Sequence, residues 1–176
     1  MSRALFYYGL PAECLPWSGN REASDKAYKY LGILLREEAA AGCLLYTTNL
    51  RTESDLIFAE KVLQMRQAIP AIELHVSAPF TLRDQHAQRR DALLEQAASA
   101  ALGREDPSSD TAFLVNDTAL AKKAGIFVSP LEQEPRSAMS VMLARMTMEH
   151  GARIIYFSHL GIQRLKPQQV GGGDLP

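Results

Sequence analysis

The sequence contains few of the residues and motifs that mark common catalytic sites. Its 176 residues include only two cysteines, Cys14 and Cys43, which are too few for a disulfide scaffold and form no metal-spaced pair. The four histidines show no metal-ligand spacing either. A Gly-x-Ser-x-Gly elbow, a Walker loop and a Gly-x-Gly-x-x-Gly turn are all missing. We therefore predict no metal centre and no standard phosphate-binding loop.

The charge balance and the lack of long apolar runs exclude further classes of partner. The formal net charge is −1, which argues against duplex nucleic acid because neutralising phosphates needs a surplus of Lys and Arg. No apolar stretch approaches the roughly 20 residues that span a bilayer. The apolar run near the start is too short for a signal peptide. We predict a cytoplasmic protein that does not engage a membrane.

The length and composition of the chain predict a single domain. Hydrophobic residues make up 47% of the sequence and charged residues 22%, which are values typical of globular proteins. A chain of this length buries roughly 70% of its unfolded surface, enough for one substantial core. We place the domain at residues 1–165 and expect a flexible tail at residues 166–176, which contain three consecutive glycines.

Apolar runs and amphipathic segments alternate along this domain. In the clearest unit an apolar strand at 43–46 is followed by a polar turn at 47–52 and an amphipathic helix, where Thr52 and Asp55 have capping-box spacing. Further strands are predicted at 4–9, 72–77, 126–129 and 153–158. This order predicts an α/β fold with a single doubly wound, Rossmann-like domain. Its sheet should be mainly parallel, with five or more strands flanked by helices.

Capping signals also predict where the other helices begin. The first helix should begin at Ser24, and a long helix should run from a capping box at Thr81 and Asp84 to about Leu102. A short edge strand near 100–104 is an alternative to the end of that helix. A later helix is predicted at 111–124, with Ser109 or Asp110 as its cap. A last helix is predicted from Ser137 to 150.

The candidate site lies where the predicted parallel strands end, because ligands of such sheets bind beside the carboxyl ends of the strands. A helix N-terminus there offers free N–H groups to an anion, and Arg51 and Arg136 could add bidentate contacts to a phosphate or carboxylate. From the strand-end turns we select Gly9, Thr47, Thr48, Asn49, Arg51, Pro79, Gln85, Ser129, Arg136 and Ser137.

The turn after the second strand has a second interpretation, in which Thr52 and Asp55 only cap the helix. Glu53 and Asp55 already place negative charge at the helix start, where the helix dipole favours it. A phosphate about 5 Å from these carboxylates would be repelled by roughly 1–3 kcal/mol. Leu50 and Glu53 also stand where a pyrophosphate would need glycine. The turn is thus either a degenerate nucleotide site or one suited to a less anionic ligand.

Three segments resemble the YpsA-like branch of the SLOG superfamily, namely Asp55-Leu56-Ile57-Phe58-Ala59-Glu60-Lys61-Val62-Leu63, Ile69-Pro70-Ala71-Ile72-Glu73-Leu74 and Ala78-Pro79-Phe80. The resemblance covers roughly residues 5–157. It implies a Rossmann-like fold that binds a nucleotide or a nucleotide-derived ligand. Relatives in the superfamily include the Lonely-guy phosphoribohydrolases and the DNA-processing protein DprA. The family motif carries over to five residues: Asp55, Glu60, Pro79, Gln85 and the hydroxyl of Ser137.

The chain departs from the family pattern at three places that contact the ligand in that family. Leu50 and Glu53 replace the glycines of a Gly-x-x-Gly turn. The sequence Pro135-Arg136-Ser137 stands in place of Gly-Gly-Thr, and Asn116-Asp117 in place of Arg-Asn. The residues that pack the fold are retained, while those that would hold the ligand are changed.

Three functions are compatible with these observations. The first is a SLOG-like protein that binds a nucleotide-like small molecule at the strand-end edge and holds no resident cofactor. The second is a hydrolase of nucleotide N-glycosidic bonds, with Glu60 or Asp55 as the acid or nucleophile. The third is a non-catalytic interaction protein, including a homodimer formed through the Met-containing last helix or the Ala-rich fourth helix. The sequence leaves open whether the protein is an enzyme.

Overall fold

A computed structural model of the protein describes residues 3–103, 111–131 and 138–165. Several predictions concern residues outside these ranges and stay predictions. They are the caps at Ser109 and Asp110, the site residues Arg136 and Ser137, and the tail at 166–176.

The described residues form five α-helices and seven strands. The helices are α1 (Arg21–Ala40), α2 (Glu53–Ala68), α3 (Ala87–Gln96), α4 (Ala112–Lys123) and α5 (Ala138–Glu149). The strands are β1 (Ala4–Tyr7), β2 (Leu45–Thr48), β3 (Glu73–Ala78), β4 (Ser99–Leu102), β5 (Ile126–Pro130), β6 (Arg153–Ser158) and β7 (Gly161–Leu165). A 3₁₀ turn spans Ala12–Cys14.

All seven strands belong to one sheet in the order β4-β3-β2-β1-β5-β6-β7. Every neighbouring pair is parallel except β6 and β7, which are antiparallel. The predicted α/β class and mainly parallel sheet are therefore confirmed. Strands β2, β3 and β4 are added in turn on one side of β1. The chain then crosses back, and β5 pairs with the other side of β1. The strand order thus changes direction between β1 and β5.

Helices cover the central strands of the sheet, and the residues of these strands are therefore buried and mostly apolar. All five residues of β5 are buried, as are Leu5, Phe6 and Tyr7 of β1, as expected for parallel strands in an α/β protein. The ring of Tyr7 stacks on Phe58 of α2 with a centroid distance of 4.3 Å. This contact holds the N-terminal half of α2 against the carboxyl end of β1.

The helices divide into two sets by their contacts. Helix α1 packs against α2 and β6, and α2 packs against α3, β2 and β3. Helix α4 packs against α5, β1 and β3, and α5 packs against β5 and β6. Every helix within the described ranges is too short or too polar to cross a bilayer.

The structure corrects two predicted helix bounds. Helix α1 begins at Arg21 rather than Ser24, because the side chain of Asn20 accepts a hydrogen bond from the Ala23 N–H at 3.0 Å and caps the helix. The single helix predicted from Thr81 to Leu102 is wrong. Helix α3 begins only at Ala87 and ends at Gln96, and the alternative of an edge strand is realised as β4. The antiparallel strand β7 was not predicted.

Candidate functional site

The carboxyl ends of β1, β2, β3 and β5 lie at one edge of the sheet because these strands are parallel. Gly9 follows β1, the turn at 49–52 follows β2, and Pro79 follows β3. Ser129 lies near the end of β5. The sheet thus places these predicted residues along the edge that we expected to carry the site.

The N-terminus of α2 is occupied by a carboxylate of the protein itself. Asp55 is fully buried, and its Oδ1 accepts hydrogen bonds from the Gly9 N–H at 3.0 Å and the Thr48 hydroxyl at 3.1 Å. Its Oδ2 accepts from the N–H and the hydroxyl of Thr52, both at 2.8 Å. Thr52 and Asp55 form a complete capping box, which confirms the predicted cap.

This arrangement leaves little at α2 for an external anion. The amide groups of Gly9 and Thr52, which could otherwise face a phosphate, already donate to Asp55. Burial raises the pKa of the Asp55 carboxyl, and the hydrogen bonds from Thr52, Gly9 and Thr48 act in the opposite direction. With two donors on each oxygen, Asp55 is suited to fix the helix start rather than to attack a substrate.

The turn between β2 and α2 adopts a backbone conformation that is uncommon for its sequence. Leu50 has a φ of +53°, in the left-handed region where residues other than glycine are uncommon. Its N–H donates to the Thr48 hydroxyl at 3.3 Å, and its carbonyl accepts from Nε of the buried Arg90 at 2.9 Å. Such conformations persist where the surroundings enforce them, and they concentrate at functional sites.

A second buried carboxylate, Asp117 of α4, lies beside this turn. Its Oδ1 accepts hydrogen bonds from the side-chain amides of Asn49 at 2.9 Å and Asn116 at 3.2 Å. The Asn49 oxygen accepts from the Arg51 N–H at 2.9 Å. Burial raises the pKa of Asp117 to about 6, and the bonds from Asn49 and Asn116 oppose the rise. Asp117 therefore changes charge close to neutral pH.

Asn116 connects this network to a cavity of about 480 Å³. Its side-chain N–H donates to the Ser77 carbonyl, and its oxygen accepts from the Ser77 hydroxyl, both at 2.9 Å. We call this cavity the strand-end pocket. Its lining consists of Ser77, Ala78, Pro79, Ala101, Leu102, Gly103, Thr111, Ala112, Val115, Asn116 and Ala119.

Neither protein-family models nor curated protein sequences give a match to this chain. The functional interpretation therefore depends on the geometry of the site.

Arg51 lies at the same edge, and its side chain packs on α4. Its guanidinium carbon is 4.8 Å from the centre of the Phe113 ring, a cation–π distance. Phe113 in turn packs edge-on against Phe80, which follows Pro79. Phe113 lines a small cleft together with Ala78 and Leu102, and these two residues also line the strand-end pocket. Arg51 therefore places an exposed cation close to that pocket.

The remaining predicted site residues lie outside the hydrogen-bond network of Asp117, and Thr48 belongs to the cap at Asp55. Glu60 forms an ion pair with Arg89 of α3, in which Arg89 Nη2 is 2.7 Å from Glu60 Oε2, and it lines a groove between α2 and α3. Gln85 is exposed ahead of α3, 3.4 Å from the His86 ring. Thr47 and Thr48 point to opposite sides of β2 because side chains alternate along a strand. The Ser129 hydroxyl is buried and donates to the Pro130 carbonyl.

Sequence reasoning missed Ser77, Arg90 and Asp117 as parts of this site. The sequence did single out Asn116-Asp117, but only as a departure from a family motif. A usable signal was the run of three adjacent polar residues at 116–118 within the otherwise apolar segment 112–121. Buried charges of this kind are kept only where hydrogen bonds compensate them.

Proposed function

We propose that the protein binds a nucleotide-derived small molecule whose heterocycle occupies the strand-end pocket. The observation that carries the proposal is the combination of polar groups at Ser77 and Asn116 with apolar walls at Leu102 and Val115. The donors of Ser77 and Asn116 bond within the protein, and their oxygens can accept further hydrogen bonds from a ligand. These two apolar side chains are 41% and 67% exposed. A planar base would cover them while its edge met the polar groups.

The size and position of the pocket support this choice of ligand. Its volume of about 480 Å³ lies within the roughly 300–1,000 Å³ of typical small-molecule sites. It adjoins the carboxyl ends of β3 and β4, and ligands of parallel sheets bind beside such ends.

The charges near the pocket favour a ligand that keeps its phosphates away from α2. Asp55 already accepts the amide hydrogen bonds there, and above pH 6 Asp117 adds a second negative charge. Arg51 is the exposed cation beside the pocket wall, and an arginine can hold a phosphate through two parallel hydrogen bonds. We assign the base to the pocket and any phosphate to Arg51.

The fold type of the chain and its relation to the SLOG proteins are part of the same proposal. We infer a doubly wound, Rossmann-like domain, because the strand order changes direction at β1 and β5 and crossovers between parallel strands are right-handed. Right-handed crossovers would place the set α1–α3 on one face of the sheet and the set α4–α5 on the other. This architecture and the capped helix at Thr52 support the relation to the YpsA-like SLOG proteins.

Isothermal titration calorimetry with adenosine, AMP, NAD and ADP-ribose tests the proposal. We expect at least one of these compounds to bind saturably, and Val115→Glu to abolish that binding because it introduces a carboxylate at the pocket. Arg51→Gln should weaken binding of the phosphate-bearing compounds by about tenfold and leave adenosine unchanged.

Leu160→Glu is the matched control, since it introduces the same glutamate at another exposed apolar residue, which is 82% exposed in the turn beyond β6. This variant should bind like the original protein. A flat response of the original protein to the whole panel would refute the ligand class. Equal binding by Val115→Glu and Leu160→Glu would refute the pocket.

A further inference from the structure

A second cavity lies between α1 and α2, beside the C-terminal half of α2. It has a volume of about 250 Å³ and is lined by Gly32, Arg36, Lys61, Gln64, Met65, Ala68 and Ile69. We call it the α1–α2 groove. Helix α2 begins at the carboxyl edge of the sheet, and the groove uses its C-terminal half. The groove is therefore independent of the site described above.

Two cations converge in this groove. Arg36 Nη1 lies 3.6 Å, and Lys61 Nζ 3.8 Å, from the position that a Cβ atom would take at Gly32. Within the ranges that the structure describes, neither residue forms an ion pair with a carboxylate. Partial burial lowers the pKa of Lys61, and the neighbouring Arg36 lowers it further, while Glu60 acts in the opposite direction.

This arrangement differs from that of five arginines elsewhere in the described part of the chain. Arg83, Arg89, Arg90, Arg153 and Arg164 each contact an Asp or Glu side chain. Holding two like charges together without a carboxylate costs free energy, which a bound anion would recover. The groove thus has the charge complement of an anionic group.

The other lining residues define what is attached to that anion. Met65 and Ala68 of α2 and Ile69 after it provide an apolar surface, and Ile69 is 38% exposed. Gln64 adds a further hydrogen-bond donor. The cavity of about 250 Å³ is slightly smaller than typical drug-sized sites, so the apolar part must be short.

We propose that the α1–α2 groove binds a small anionic amphiphile, a carboxylate joined to a short apolar chain. Arg36 holds the carboxylate through its planar fork of donors, and Lys61 contributes a point charge. Met65, Ala68 and Ile69 cover the chain. Both halves of the ligand are required, because the carboxylate is attracted by the two cations and the chain gains free energy by covering the apolar residues.

Titration of the full chain with sodium octanoate at pH 7, followed by NMR of backbone amides and methyl groups, tests this proposal. We expect saturable shifts confined to the groove residues. Lys61→Gln and Arg36→Gln should each weaken binding by about tenfold, the effect of losing one charge-assisted hydrogen bond. The pKa of Lys61 should rise on saturation, because the carboxylate favours its charged form.

Three comparisons separate this proposal from simpler explanations. Lys29→Gln removes the same charge from an exposed position of α1 outside the groove and should leave octanoate binding unchanged. Octylamine, with the same chain and opposite charge, should not bind, and acetate should bind at least tenfold more weakly. Equal binding of octylamine and octanoate, or no effect of Lys61→Gln, would overturn the proposal.

Discussion

At the residue scale, Asp117 is the group whose environment most changes its chemistry. Its pKa is about 6 in the folded protein and roughly 3.9 in an unfolded chain, so the folded state binds this proton more tightly. The contribution of Asp117 to the free energy of unfolding therefore falls as the pH rises from about 4 to about 6, and it stays constant above that window.

We expect Asp117→Asn to raise the free energy of unfolding by about 1–3 kcal/mol at pH 7, where the charged carboxyl is costly. The asparagine oxygen can still accept from Asn49 and Asn116. Urea unfolding between pH 4 and pH 8 measures the effect, and the two proteins should converge toward pH 4. Asp25→Asn, at an exposed position of α1, should keep the pH dependence of the original protein. Parallel pH curves for Asp117→Asn and the original protein would contradict the assignment.

Gly9 is the residue that allows α2 to approach β1. A Cβ atom at this position would lie 2.4 Å from Thr52 Oγ1 and 2.6 Å from Asp55 Oδ2. Both atoms are held in the capping box, so they cannot move aside without breaking hydrogen bonds. The absence of a side chain is therefore a steric requirement of the cap.

We expect Gly9→Ala to lower the free energy of unfolding by about 1–3 kcal/mol, the usual cost of overpacking. The midpoint of urea unfolding measures this loss. Gly125→Ala is the control, because a Cβ there would meet its nearest atom, the Ala4 oxygen, at 3.8 Å. It should change stability by less than about 0.5 kcal/mol. A loss of the same size in both variants would show that steric conflict is not the cause.

At the scale of elements, α3 stabilises the turn between β2 and α2 through one side chain. Arg90 is only 3% exposed. It donates to the carbonyl of Leu50 at 2.9 Å, to that of Leu82 at 3.0 Å, and to the Asp84 carboxylate. The left-handed residue Leu50 and the segment before α3 are thus joined by a single guanidinium group.

We expect Arg90→Leu to cost about 2–4 kcal/mol, because two backbone carbonyls lose their donor. Hydrogen exchange of residues 49–55 should accelerate in this variant. Arg90→Lys should restore little, since one ammonium group cannot reproduce the planar fork. Arg89→Gln removes a partly exposed ion pair on the same helix and should cost at most about 1 kcal/mol. Equal losses at the two positions would argue against the bridging role.

Two segments with the same capping-box spacing illustrate the limit of local prediction. Thr52 and Asp55 form the predicted box and start α2. Thr81 and Asp84 have the same spacing, yet Asp84 accepts hydrogen bonds from the His86 N–H and from Arg90. Helix α3 therefore starts only at Ala87. The difference arises from Arg90, whose position depends on the packing of α3 rather than on the spacing.

At the scale of the whole molecule, the change of strand order between β1 and β5 decides which loops meet. It places α4 over β1 and β3, so that Asn116 reaches Ser77 and Asp117 reaches Asn49. The strand-end pocket opens beside this meeting point. The relation to SLOG proteins, the nucleotide-derived ligand and a homodimer stay predictions. Light scattering measures the oligomeric state directly.

The amino-acid sequence by itself determined the alternation of strands and helices, the mainly parallel sheet and the cap at Thr52. These features depend on hydrophobic periodicity and on contacts between residues three or four positions apart, which are visible in any short window. Only the tertiary structure decided that β4 joins the sheet, that Arg90 binds the Leu50 carbonyl, and that Asn49 meets Asp117 across 68 positions of chain. Such pairs form because the order and direction of the strands bring distant segments together, and no local pattern encodes which partner each polar group will find.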